Sequence, residues 1–175
     1  MTLHNNIIIK KLYDGNILFL RGESLRKTDI DKLIISTSDK LAEGYAQQRI
    51  KFDDLEQLGK VNGYHWANHH FDGGYRREDH TLVGFNTIVL DVDGTLPLAT
   101  AMELMKDYKA FFYTTKRHQD EDGLDRYRII LPTNYELELD REEYKMFMDN
   151  VMSALPFEMD ESCNQRSKKW LTCDS

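Results

Sequence analysis

Residues 87–90, Thr-Ile-Val-Leu, make an apolar run with three β-branched members that leads directly into Asp91-Val92-Asp93-Gly94. A run of that composition predicts a buried strand. The segments that follow agree with this. Residues 98–108 have helical spacing and good helix formers, residues 110–115 read as a second strand, and residues 126–131 read as a third that Pro132 should stop. Asp140 is placed to cap a helix reaching about Leu155, with Glu142 and Glu143 in its first turn. Residues 169–173 complete the pattern as a fourth strand.

The resulting order, β-α-β-β-α-β, predicts an α/β (α+β) chain with a ferredoxin-like, RRM-like core over residues 84–175. Its sheet order should be 4-1-3-2, with the strand bearing Asp91 and Asp93 at the centre. Residues 1–83 should form an N-terminal α/β lobe packed on that core. Strands are expected at 6–11 and 17–21 around the turn Asp14-Gly15-Asn16, then a helix capped by Asp29 and a short helix at 52–59. Residues 61–80, rich in Gly, His, Asn and Asp, read as a long loop.

Composition narrows the function classes. With 23 Lys and Arg against 30 Asp and Glu, the net charge is −7, which argues against indiscriminate coating of nucleic acid. Two cysteines are too few for a disulfide scaffold or a Cys-rich zinc site, and suit a reducing, cytoplasmic setting. No apolar run approaches the length of a bilayer span, and the first residues lack the pattern of a secretory leader. Basic knots nonetheless stand out at Arg76-Arg77, Lys116-Arg117-His118, Arg126 with Arg128, and Arg166 with Lys168-Lys169.

Asp91 and Asp93, at i and i+2 on one strand, project from the same face. Two carboxylates so close repel each other unless positive charge intervenes. A hard divalent cation such as Mg²⁺ or Mn²⁺ answers that repulsion. So do Arg126 and Arg128, themselves at i and i+2 on the strand expected alongside. Removing either aspartate should therefore relieve repulsion and leave the fold intact. His118, beside Lys116 and Arg117 after a strand end, suits contact with a polyphosphate. His65, His69 and His70 invite a zinc site, but the glycines around them favour a loop. Trp170 reads better as core than as a base-stacking surface.

Three segments in register, Leu90-Asp91-Val92-Asp93-Gly94, Tyr113-Thr114-Thr115-Lys116-Arg117-His118-Gln119 and Gly123-Leu124-Asp125-Arg126-Tyr127-Arg128-Ile129-Ile130-Leu131-Pro132, resemble the phage- and plasmid-type archaeo-eukaryotic primases. These are primase-polymerases with an RRM-like catalytic core. The resemblance implies a metal-dependent nucleotidyltransferase making primers in phage or plasmid replication. Asp91 and Asp93 match the first motif and His118 the second. Asp160 matches the acidic residue of the third, with Glu158 and Glu161 as near rivals for that place. It implies Mg²⁺ or Mn²⁺ on Asp91, Asp93 and Asp160. Lys116, Arg117, His118, Arg126 and Arg128 would face the nucleotide, and Arg76 and Arg77 nucleic acid. The implied partners are a single-stranded DNA template, nucleoside triphosphates and a separate or fused helicase, in the cytoplasm of a bacterial host. Lys116-Arg117 stands where this family more commonly carries serine.

Two other readings stay open. Residues 89–96, Val-Leu-Asp-Val-Asp-Gly-Thr-Leu, also match the first motif of haloacid-dehalogenase-like phosphatases, with Asp91 as nucleophile and Asp93 as general acid. A doubly wound parallel sheet would favour them. The third is a catalytically silent nucleic-acid-binding regulator that keeps the primase-like fold.

Overall fold

The computed structural model describes residues 26–173. Strands expected at 6–11 and 17–21 lie outside the described residues. Within them the chain is a mixed α+β fold with two antiparallel sheets. The elements run β1 (Arg26–Lys27), β2 (Leu33–Ser38), β3 (Ala46–Ile50), a 3₁₀ turn (Asp53–Gly59), β4 (His65–Ala67), β5 (Phe85–Asp93), α1 (Leu98–Leu104), β6 (Phe111–Thr114), β7 (Arg126–Leu137), α2 (Arg141–Ala154), a 3₁₀ turn (Glu161–Asn164) and β8 (Trp170–Leu171). Two further 3₁₀ turns, Asp72–Gly74 and Glu78–His80, lie between β4 and β5.

In the first sheet β7 pairs with both β5 and β6, and β1 pairs with its far end. The second sheet has the order β3-β2-β4-β8. Strand periodicity decides what each face of the first sheet meets. Ile88, Leu90 and Val92 of β5 join Tyr127, Ile129 and Leu131 of β7 in a core closed by Ala101 of α1, Met105 just past its end, and Tyr144, Phe147 and Val151 of α2. Val89 and Ile130, on the opposite face, pack with Tyr113 against Leu33, Ile35, Trp66 and Trp170 of the second sheet. Helices, first sheet and second sheet are thus three layers, and truncating a large aromatic in either core should cost about 3–5 kcal/mol.

Local sequence explains most of the elements. Asp140 caps α2 by accepting from the Glu143 N–H, and Glu143 returns a bond to the Asp140 N–H (2.9 and 3.0 Å). The strand-helix-strand-strand-helix-strand order holds from Phe85 to Leu171. The expected sheet order does not. β8 pairs with β4 in the second sheet, through Trp66↔Trp170 and His65↔Leu171, instead of flanking β5. Trp170 is pulled there by Trp66, whose ring lies 4.9 Å away, and both are fully buried. β5 therefore has β7 as its one partner among the described strands, so it is not central.

Three smaller expectations also need correction. Asp29 caps no helix; residues 33–38 form β2, whose apolar side chains are needed in the core between the sheets. Residues 61–80 include the strand β4. Pro132 does not end β7. The register jumps between Phe85↔Leu137 and Thr87↔Pro132, and β6 stops pairing at Ile130, so a residue without an N–H costs the ladder little there. Both described sheets are antiparallel throughout, and the parallel sheet that would favour the phosphatase is not found among these residues. No helix among them is long and apolar enough to cross a membrane.

Candidate functional site

The β5–β7 register places Asp91 opposite Arg128 and Asp93 opposite Arg126. Because Val92, Tyr127 and Ile129 face the helices, all four charged side chains emerge on the face towards the second sheet. Asp91 Oδ1 lies 3.2 Å from Arg128 Nε, and Asp91 Oδ2 lies 3.8 Å from Lys168 Nζ. Asp93 is held by Arg126 Nε at 2.5 Å and by Arg117 Nη2 at 3.2 Å. The repulsion expected between the two aspartates is thus absorbed by four side-chain cations.

Asp160 arrives from the other end of the sequence. Its N–H donates to the Asp91 carbonyl at 2.9 Å, which fixes the 160–164 turn against the end of β5. Its Oδ1 accepts from the Ser162 N–H and hydroxyl, at 2.8 and 2.7 Å, and its Oδ2 accepts from Lys168 Nζ at 2.7 Å. Burial by itself would raise the Asp160 carboxyl, but the Lys168 and Ser162 donors outweigh it and hold the group below its ordinary value. Glu158 and Glu161 instead line an open groove of about 760 Å³ beside α2, together with Asp149 and Lys145. That groove is too acidic to suit phosphate.

The basic residues divide into two kinds. Arg126 is buried; it spans Asp93 and both oxygens of Asp122, and also donates to the Arg117 carbonyl at 3.0 Å. Its hydrogen bonds hold the Asp122 carboxyl far below the usual range. Arg128 donates to the Tyr113 hydroxyl and the Leu171 carbonyl, both at 3.0 Å. The same hydroxyl accepts from Trp66 Nε1 at 2.9 Å, so the second sheet props Arg128 against Asp91. By contrast, Lys116 and Arg117 are exposed on the β6–β7 turn. His118, on the same turn, accepts the Arg126 N–H at Nδ1 (3.1 Å). That bond puts the ring proton of the neutral form on Nε2, 3.9 Å from Asp125.

Gly94, just past Asp93, has φ +84°, and a Cβ there would meet Leu124 Cδ1 at 2.8 Å. Its N–H donates to the Asp125 carbonyl at 3.0 Å, and Asp125 in turn accepts the Leu98 N–H that opens α1. The Asp91-Val92-Asp93-Gly94 segment is therefore locked to both the hairpin turn and the first helix.

Other expected residues are occupied elsewhere. Arg76 bonds the carbonyls of Leu41 and Ser167 at 2.9 and 2.8 Å, and Arg77 pairs with Asp79 at 2.8 Å; neither touches the acidic centre. Arg166 is a buried strut between Glu78 and the Leu139 carbonyl. His65, His69 and His70 do not converge: His65 lies on β4, His69 is fully buried against Phe85 and Tyr144, and His70 faces the Gln48 carbonyl.

Among the described residues no three His, Cys, Asp or Glu side chains form a ready ligand set. Asp91 and Asp160 fit a shared hard cation in donor type, and they already share the ammonium of Lys168. Asp93 is turned towards Arg126 and Arg117. Lys168 is the residue that motif reasoning left without a role; its only signal was its place in a basic knot eight residues after Asp160. Comparison with family models, curated proteins and solved structures finds no match to this chain.

Proposed function

We propose that this chain is a metal-dependent nucleotidyltransferase that copies a single-stranded DNA template, in the manner of the primase-polymerases its motifs resemble. The observation that carries the reading is the meeting of Asp91 and Asp160, two carboxylates far apart in sequence, at the end of a strand ringed by cations. Asp91, Asp93 and Asp160 are the residues assigned to hold Mg²⁺ or Mn²⁺. When bound, such an ion lowers the pKa of a coordinated hydroxyl and offsets charge on the phosphates.

The rest falls to the chain's own groups. The Nε2–H of His118 donates to a phosphate oxygen of the incoming nucleotide, and exposed Lys116 and Arg117 neutralise its β- and γ-phosphates. Arg126 and Arg128 keep Asp93 and Asp91 aimed, and Arg76 and Arg77 are the residues assigned to contact with the template. The primer 3′-oxygen bonds to the α-phosphorus as the α–β bond breaks. Pyrophosphate leaves, and the hydroxyl proton passes to water. A helicase, fused or separate, would expose the template in a bacterial cytoplasm.

A second reading is favoured by one observation: each of the three aspartates already has a basic partner. A silent relative that binds nucleic acid would look the same. Incubation of wild type and Asp91→Asn with single-stranded DNA, Mn²⁺ and labelled nucleotides separates the two. Template-dependent products made by wild type and lost in the variant support the transferase. DNA binding unchanged in EDTA, with no incorporation, sinks it in favour of the silent binder; phosphate release from a small ester without polymer moves the assignment to the phosphatase.

A further inference from the structure

We infer that Lys168 is the resident counter-ion of the Asp91–Asp160 pair, and that a divalent cation enters the pair only as this ammonium is displaced. The inference rests on the metal-dependent reading above and assigns a role to a residue outside its motifs.

The Lys168 side chain is 11 % exposed, and its Nζ meets Asp160 Oδ2 at 2.7 Å, Ser162 Oγ at 2.7 Å, Cys163 Sγ at 3.6 Å and Asp91 Oδ2 at 3.8 Å. Its N–H donates to the Gln165 carbonyl at 3.0 Å, so the stem starts from an anchored backbone. An ammonium has three donors and no acceptor, and all of its neighbours at this distance are acceptors. With Lys168 and Arg128 in place, two positive charges balance the two carboxylates. A divalent ion added beside both would leave the pocket with an excess of two positive charges, in a setting where burial strengthens like-charge repulsion.

One of the two cations must yield, and the geometry selects which. Arg128 is a planar fork pinned by the Tyr113 hydroxyl, the Leu171 carbonyl and the Tyr113 ring, 5.4 Å from its guanidinium. Lys168 is a point charge on a flexible four-carbon stem that can turn to solvent. Lys168 thus keeps the two carboxylates together before metal arrives and sets the Mn²⁺ concentration at which it is replaced.

The test is Mn²⁺ binding to the full chain, by electron paramagnetic resonance of free Mn²⁺ and by calorimetry, for wild type, Lys168→Met, Lys168→Gln, Lys168→Arg and Asp160→Asn. Both neutral variants should bind Mn²⁺ about tenfold more tightly than wild type, the scale on which groups around a metal site act. Their thermal midpoints should fall in EDTA and recover more on Mn²⁺ addition than that of wild type. Lys168→Arg should bind no more tightly than wild type. Equal or weaker binding by folded Lys168→Met and Lys168→Gln overturns the inference, because a purely structural lysine changes stability and leaves Mn²⁺ affinity alone. Should a neutral variant be unfolded in EDTA, refolding at Mn²⁺ below the wild-type Kd supports the inference, and failure to refold overturns it. The metal reading is judged separately: it stands if wild type binds Mn²⁺ and Asp160→Asn does not. It falls, taking the inference with it, if neither wild type nor the Lys168 variants bind.

Discussion

Asp91→Ala should destabilise the protein by about 2–3 kcal/mol, while Asp93→Ala, two residues on along the same strand, should cost less than about 1 kcal/mol. The asymmetry follows from what each carboxylate leaves behind. The Asp91 side chain is 18 % exposed, and its partners Arg128 and Lys168 are 12 % and 11 % exposed. Removing one member of so buried a set costs roughly 3–5 kcal/mol when the other charge is stranded. Here the loss is smaller, because Arg128 keeps its bonds to Tyr113 and Leu171 and Lys168 keeps Asp160. Asp93 is 54 % exposed, and its removal leaves Arg126 still gripping Asp122 and Arg117 already in solvent. Urea unfolding followed by circular dichroism measures both differences, and the slope must stay unchanged for the comparison to hold. In thermal unfolding, a chain of 175 residues should shift by about 2–4 °C per kcal/mol, so Asp91→Ala should lose roughly 4–12 °C. Equal costs at the two positions, or a gain in stability at Asp91, would refute the reasoning and restore the view that the aspartates mainly repel each other.

Burial pushes the His69 imidazole down to about 3, helped by Arg166 and His70, so the unfolded chain binds the extra proton first as pH falls. Stability contributed by neutral His69 is present above the unfolded value of about 6.5 and is lost below it, by about 2 kcal/mol at pH 5; His69→Gln should flatten that part of the pH–stability curve, and an unchanged slope would refute the assignment. Gly94→Ala should cost about 1–3 kcal/mol, since it demands φ +84° of an L side chain and drives a methyl group into Leu124; a thermal midpoint equal to wild type would show that the turn relaxes freely. Asp140→Ala removes the acceptor for the Glu143 N–H and should cost about 1 kcal/mol in denaturant, with Asp140→Asn or Asp140→Ser recovering most of it.

Where local signals decide structure, the sequence was readable. The β-branched run before Asp91 became β5, the Asp140 capping box opened α2, and residues 53–59 formed a short 3₁₀ turn. The pairing of Arg126 and Arg128 with the two aspartates was also visible, because two i, i+2 pairs on adjacent strands can meet in register. What escaped was set by distant contacts. Asp29 looked like a cap because nothing nearby says that Leu33 and Ile35 must pack under two tryptophans. The fourth strand went to the wrong sheet because β8 is two residues long, and its place depends on the Trp66–Trp170 contact rather than on any pattern of its own. Lys168 was passed over for the same reason. A lysine in a basic knot looks solvated until the 160–164 turn is folded back onto β5.

The two tryptophans that close the second sheet are the only ones in the chain, so its native indole emission comes entirely from the seam between β4 and β8. The Trp66 N–H rests on the Tyr113 hydroxyl, and Arg128 donates to that same oxygen while holding Asp91. Light emitted at the seam is therefore wired, through one phenol and one guanidinium, to the acidic centre. The chain carries an unlabelled optical probe there: a ligand that loosens Arg128 should alter the polarity felt by Trp66 without unfolding anything. The same emission distinguishes two ways of coming apart. If it shifts before far-UV ellipticity is lost, the β4–β8 seam opens as a cooperative unit of its own. If both change together, the three layers melt as one.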